Sequence, residues 1–252
     1  DLGHNVVVPA PEVPTQVPPH APPSERVCRI RVQFAKTGSM ALLSHLDLMR
    51  MLERALRRSA LPISFTGGFH PLPRIQIALA LPLGAEAQGE WMDLEFTEAL
   101  DTNHFRKTLQ PLLPQGIQLL AAAKVPVSGN SLSQELTGAV WSFDLVPQEQ
   151  APMPLDWNAA VDQLLQATTL VWHDTDKKGR PRERDCRPAL KALQVRDQNA
   201  NGSVRLRLEA AVDEMGRSLR PAQIQHWLAE IVGQPLQVQR LAREALLLST
   251  QC

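Results

Sequence analysis

The order strand, helix, strand, strand, helix, strand occurs twice along the 252 residues. It predicts an α+β fold of two ferredoxin-like (βαββαβ) halves, antiparallel sheets with helices on one face. Two further observations support that class. The strand segments over 27–34, 90–97 and 203–211 alternate apolar and polar side chains at a period of two, so each offers one face to a core. The helical segments begin at Ser, Asp or Pro and end at Pro or Gly, the residues that start and stop helices.

Residues 1–25 hold seven of the 21 prolines and few large apolar groups, the composition of an extended, unpacked linker. The first half spans 26–127. It opens with a strand over 27–34, where Cys28, Ile30, Val32 and Phe34 alternate against Arg29, Arg31 and Gln33. A helix from Ser44, a strand over 74–83, a strand over 90–97, a helix over 101–113 and a strand over 117–125 complete it. A polar stretch, 128–134, separates it from the second half, 136–252. There the pattern predicts a strand over 140–145, a helix over 156–168 capped by Asp156, a strand over 170–173 and a strand over 203–211. A helix opening on Pro221 and a strand within 236–248 follow.

The segment 36–84 is the densest in special backbone residues. Ser44, followed three residues later by Asp47, is a capping-box-like helix start. Leu48, Leu52, Ala55 and Leu56 then form an apolar stripe, and Arg50, Arg54, Arg57 and Arg58 lie within roughly 100° of one another on the other side. Pro62 stops the helix. Gly67-Gly68, the only such pair in the chain, predicts a tight turn, and Pro71 and Pro73 remove two ladder donors, so a strand can begin only near Arg74. The loop 66–73 reads as stiff and exposed.

Two segments, KTGSMALLSHLDLMRMLERALRRSALP and FTGGFHPLPRIQIALALPLGAEAQGEWMDLEF, resemble the radical SAM-linked domain of unknown function. That domain stands alone beside radical SAM enzymes or forms the C-terminal part of cobalamin-binding radical SAM fusion proteins. The marks are the SHLDL helix start at Ser44 to Leu48, the Gly68-Phe69-x-Pro71-x-Pro73 turn and the Leu81-Pro82-Leu83-Gly84 strand end. Lys178-Gly179 and Asp185-Cys186-Arg187-Pro188 belong to the same resemblance, whose strongest part runs from about Arg29 to Phe96. The pattern departs from related members at His70 and Leu72. The resemblance implies a radical SAM catalytic domain as partner, in the same chain or a separate one, with the iron-sulfur cluster, SAM and, in the fused form, cobalamin held in that linked part and no cofactor here.

Composition bounds the rest. A formal net charge of zero argues against bulk electrostatic binding, so a cationic surface must be a local patch. Cys28, Cys186 and Cys252 are far apart without CxxC spacing, which excludes a self-contained cluster or zinc knuckle and fits a reduced, cytoplasmic chain. No apolar stretch approaches the roughly 20 residues of a membrane span, so no membrane partner is expected. The chain opens on Asp1 rather than Met, the expectation for a piece of a longer fusion. There is no GxSxG, HExxH, Walker loop or Rossmann fingerprint.

Three features carry candidate function, each weighed against a plain solvated surface. The first is the arginine face, Arg50, Arg54, Arg57 and Arg58, suited to phosphate contact. The second is the turn Gly67, Gly68 and His70 with Arg74 beyond it, where a ligand can approach the backbone closely. The third is 173–191, about three charges positive, in which Lys177, Lys178 and Arg180 surround Gly179 on a protruding hairpin or loop. Together they predict a non-catalytic accessory domain that binds RNA or another polyanion for a radical SAM enzyme. The alternative is a metal-independent RNA endonuclease using His45, where the helix dipole favours a neutral imidazole able to act as base, with Arg54 and Arg58 on the phosphate. A third reading is a purely structural or dimerising domain.

Overall fold

The computed structural model describes residues 22–148, 155–175, 178–199, 202–213 and 216–249. Its first half comprises β1 (Cys28–Lys36), α1 (His45–Ser59), β2 (Ile75–Ile77), β3 (Glu86–Phe96), α2 (Thr102–Leu109) and β4 (Ile117–Val125). The second begins with a one-turn helix α3 (Leu132–Glu135) and continues through β5 (Leu136–Pro147), α4 (Trp157–Gln166), β6 (Val171–Thr175) and β7 (Pro181–Asp185). It ends with β8 (Leu190–Gln198), β9 (Val204–Ala211), α5 (Pro221–Val232) and β10 (Leu236–Leu248).

Eight of the strands form one sheet in the order β4-β1-β3-β10-β5-β9-β8, with β2 also paired to β3. Each half therefore has its first and third strands at the centre and its fourth and second outside, the ferredoxin-like arrangement of a mainly antiparallel α+β fold. Within the sheet the halves join through a short parallel ladder, Ala242 against Glu86 and Arg243 against Ala87. β2 covers the same edge of β3 only from Met92 to Leu94, so β10 has room beside the rest. Gly89 permits the approach, since a Cβ there would lie 3.0 Å from the Glu244 carbonyl oxygen.

Two cores follow from the alternation. In the first, Ile30, Val32, Phe34, Leu94 and Phe96 of the sheet meet Leu48, Leu52 and Leu56 of α1 and Phe105 of α2. In the second, Trp141, Phe143, Leu206 and Leu208 meet Trp157 of α4 and Ile224 of α5. Truncating any of these to Ala costs about 2–5 kcal/mol. Helix starts match the caps read from sequence: Ser44 accepts from the Asp47 N–H and Asp156 from the Ala159 N–H.

The structure corrects four elements. The strand expected over 74–83 is limited to Ile75–Ile77, because the carbonyls of Leu79 and Ala80 accept from the Arg243 guanidinium instead of a ladder. The strand expected over 170–173 is not in the main sheet; it forms β6 and pairs with β7 as a separate ribbon. Its place is taken by β8, absent from the sequence reading because two register shifts against β9 break its alternation. The polar separator 128–134 contains the start of α3, closed by a capping box between Ser131 and Gln134. Residues 1–21 of the expected linker lie outside the described residues, and by Ser24 the chain is already bonded to Phe65, N–H to carbonyl, at 3.1 Å.

Candidate binding groove

α1 carries its arginines as its amphipathic period demands. Leu48, Leu52, Ala55 and Leu56 are buried, and Arg50, Arg54, Arg57 and Arg58 are exposed. Their pairing differs. Arg57 donates twice to Glu53, at 2.9 and 3.2 Å, and lies over the Phe65 ring. Arg50 reaches Asp47 only at 3.4 Å. Arg54 and Arg58 make no ion pair with a described residue.

The glycine turn is a closed loop. Phe65 bridges Pro73, the Thr66 N–H donates to the Leu72 carbonyl at 2.9 Å, and the Leu72 N–H donates to Thr66 Oγ1 at 3.0 Å. Gly68 sits at φ 113°, a conformation that only glycine adopts readily. The loop delivers Arg74 to the start of β2, where the Ser64 carbonyl accepts its N–H at 2.8 Å.

Between α1, this loop and the edge formed by β2 and β3 lies a groove of about 560 Å³. Leu46, Met49, Leu72, Pro73 and Ile75 give it apolar walls, and Arg50, Glu53, Arg74, Asp93 and Glu95 its polar groups. Asp93 accepts from Arg31 at 2.8 and 3.0 Å, and Glu95 from Arg26 at 2.5 and 2.6 Å. Arg31 also pairs with Glu135 of α3, and its hydrogen bonds to Asp93 hold it above the ordinary guanidinium range against the cost of burial. Arg74 stands 3.9 Å from Glu95, and its Nε is shielded from solvent without a hydrogen-bond partner.

The structure thus brings Arg50 and Arg74 together on one groove, with Arg54 and Arg58 farther along α1. Gly67, Gly68 and His70 belong to the loop but do not line the groove. His45 is exposed at the first turn of α1, above a crevice of about 10 Å³ whose walls include Lys36 and Glu90. It precedes Arg54 and Arg58 by nine and thirteen residues, roughly 14 and 20 Å along the axis, so the three cannot converge on one phosphate. Lys178 and Arg180 lie in the turn between β6 and β7, and Lys177 lies outside the described residues. That ribbon belongs to the second half, with Trp172 against Trp227 of α5 and the Trp227 indole donating to the Val171 carbonyl. The basic candidates therefore form two separate sets.

Leu46, Met49, Asp93 and Glu95 are groove residues that the sequence reading missed. A signal existed: Arg29 and Arg31 alternate on β1 opposite Glu95 and Asp93 on β3, which an antiparallel pairing brings face to face. Cys28 and Cys186 are buried in the two different cores, so the described thiols do not meet at one site. Among the described residues no group of three or more His, Cys, Asp or Glu could hold a metal ion. No described helix is long and apolar enough to cross a membrane.

A family model described as an uncharacterized protein conserved in bacteria (DUF2344) matches residues 29–221, more than half of the chain. The chain belongs to that family. A DUF2344 model that runs from β1 to the first residue of α5 takes in the groove, the glycine loop and the β6–β7 ribbon alike. No curated protein matches the chain. Among solved structures, it is similar to a chain in "Crystal Structure of a Cbf5-Nop10-Gar1 Complex", at 10% identity over 86% of this chain and 48% of that one, TM-score 0.49. It thus spans about half the length of that chain. It is also similar to a "putative glycine cleavage system transcriptional repressor", at 10% identity over 84% of this chain and 96% of that one, TM-score 0.23.

Proposed function

We propose that this DUF2344 chain is a non-catalytic substrate-binding module of a cytoplasmic radical SAM enzyme, and that α1 holds RNA or another polyanion. The observation that carries the reading is the state of Arg54 and Arg58. Both are exposed and unpaired with any described residue, one turn apart on a helix whose Arg50 and Arg57 flank them. Guanidinium groups so placed suit backbone phosphates and give affinity without sequence preference. Segments that resemble the radical SAM-linked domain support the partner, a catalytic part that would carry the iron-sulfur cluster, SAM and, in the fused form, cobalamin. The endonuclease alternative is less well supported, because His45 lies roughly 14 Å or more along α1 from the arginines assigned to its phosphate.

The deciding experiment is incubation of the purified chain with labelled bulk RNA at low and moderate salt. Retention on the protein with intact RNA supports a binding module. Cleavage that disappears in His45→Ala would restore the nuclease, and neither binding nor cleavage would leave a structural domain.

A further inference from the structure

The groove between α1, the glycine loop and β2 has unspent hydrogen-bond donors among its charged side chains. Its carboxylates are engaged: Asp93 by two hydrogen bonds from Arg31, Glu95 by two from Arg26 and Glu53 by two from Arg57. Its arginines are held more loosely, Arg50 to Asp47 at 3.4 Å and Arg74 no nearer to Glu95 than 3.9 Å. The Arg74 side chain donates no hydrogen bond to a described residue, and its Nε is cut off from water as well. Arg50 has one long hydrogen bond to Asp47 and a side chain 67% exposed. A ligand oxygen can reach no atom that water cannot, so the part of Arg74 open to an acceptor in the groove is its pair of Nη groups, which also lack a hydrogen bond to a described residue and belong to a side chain 27% exposed.

The walls specify the remainder of that ligand. Leu46 and Leu72, 66% and 55% exposed, line the groove together with Met49, Pro73 and Ile75. About 560 Å³ falls within the roughly 300–1,000 Å³ of small-molecule sites. No aromatic side chain lines it, so it is not built to stack a base.

We infer that this groove is a binding site for a small anion with an apolar body, its carboxylate or phosphate end held by Arg74 with Arg50 at the mouth. The site goes beyond the polyanion reading, uses different side chains from Arg54 and Arg58, and stands or falls separately from it. Leu46 and Leu72 close over the apolar body and the guanidinium of Arg74 receives the head group, a charge-assisted contact with its preorganised fork geometry.

Titration of the full chain with octanoate, octyl phosphate and octanol, followed by calorimetry and by the methyl resonances of Leu46, Met49 and Leu72, tests this. Octanoate or octyl phosphate should bind saturably at one site, at least about tenfold tighter than octanol, the scale of a charged hydrogen bond. The tighter of the two anions identifies the head group. Arg74→Met should reduce the anion to octanol's level, and Leu46→Asp, at an exposed position that folding does not need, should abolish binding of all three. Both anions binding no tighter than octanol, absence of saturable binding, or binding unchanged in both variants would overturn the inference. Because RNA retention is read separately through Arg54 and Arg58, failure of either reading leaves the other distinguishable.

Discussion

Arg243 of β10 and Glu90 of β3 face each other inside the seam between the halves, with Nε and Nη2 of the arginine donating to the two carboxylate oxygens at 2.6 and 2.5 Å. Both side chains are shut off from solvent, and the guanidinium also lies over the Trp141 ring. Breaking a buried pair from one side leaves an uncompensated charge, so Glu90→Gln or Arg243→Met should each cost about 3–5 kcal/mol. The double variant should recover part of that loss. Urea unfolding curves read it, and single losses below about 1 kcal/mol would show that the pair does not tie the halves together.

Gly89 predicts a steric effect at the same seam. Its missing Cβ leaves the Glu244 carbonyl oxygen 3.0 Å and Gln33 Nε2 3.2 Å from where that atom would stand. Gly89→Val should therefore push β10 away from β3 and destabilise by about 1–3 kcal/mol, the scale of overpacking. Amide exchange at Ala242 and Arg243 should quicken in that variant, and unchanged protection would contradict the account.

Lys36 predicts a pH dependence. It donates to the Ala41 and Leu43 carbonyls at 3.1 and 2.9 Å, and burial lowers its pKa, with Glu90 opposing the shift and Arg243 adding to it. The unfolded chain keeps that proton up to about pH 10.4, so between the lowered folded value and that pH it binds more protons than the native state. Stability contributed by this group should rise as pH increases through that window. The unfolding free energy of the wild type should gain on that of Lys36→Met as the pH is raised from neutrality toward about 10.4, and a gap that stays constant or moves the other way would contradict it.

On α1, Arg54→Gln with Arg58→Gln should lower affinity for single-stranded RNA and reduce the log–log salt slope by roughly 0.7 for each phosphate that is no longer neutralised. Arg57→Gln should do less, since Glu53 already occupies its guanidinium. Anisotropy titrations over a salt series separate the two. Equal effects of the Arg57 and Arg54/Arg58 substitutions would show that the Glu53 pair does not hold in solution.

Much of the architecture is legible in local pattern. The caps at Ser44 and Asp156 and the alternation of β1 and β9 depend on neighbours in sequence, and these elements lie where the pattern puts them. β2 and β8 do not. The first is cut short by Arg243, which arrives from more than 150 residues away, and the second loses its alternation to bulges that only its pairing with β9 explains. The candidate site divides the same way. Helical spacing shows the arginine face, whereas in the groove strand alternation points to Arg31 as the partner of Asp93 but not to Arg26, which lies before the strand and holds Glu95. The i,i+4 spacing of Glu53 and Arg57 hints at the pair that separates Arg57 from Arg54 and Arg58, but that the pair forms is a matter of side-chain geometry.

The shared edge of β3 also sets a schedule for biosynthesis. Glu86 and Ala87 are made early, yet their ladder partners Ala242 and Arg243 emerge more than 150 residues later, roughly 8–30 s at common rates of translation. For that interval the nascent first half carries a bare strand edge and lacks the Arg243 partner of Glu90. An open edge is a template for pairing with other chains, so the ribosome-bound intermediate is the state in which this protein most needs protection from aggregation.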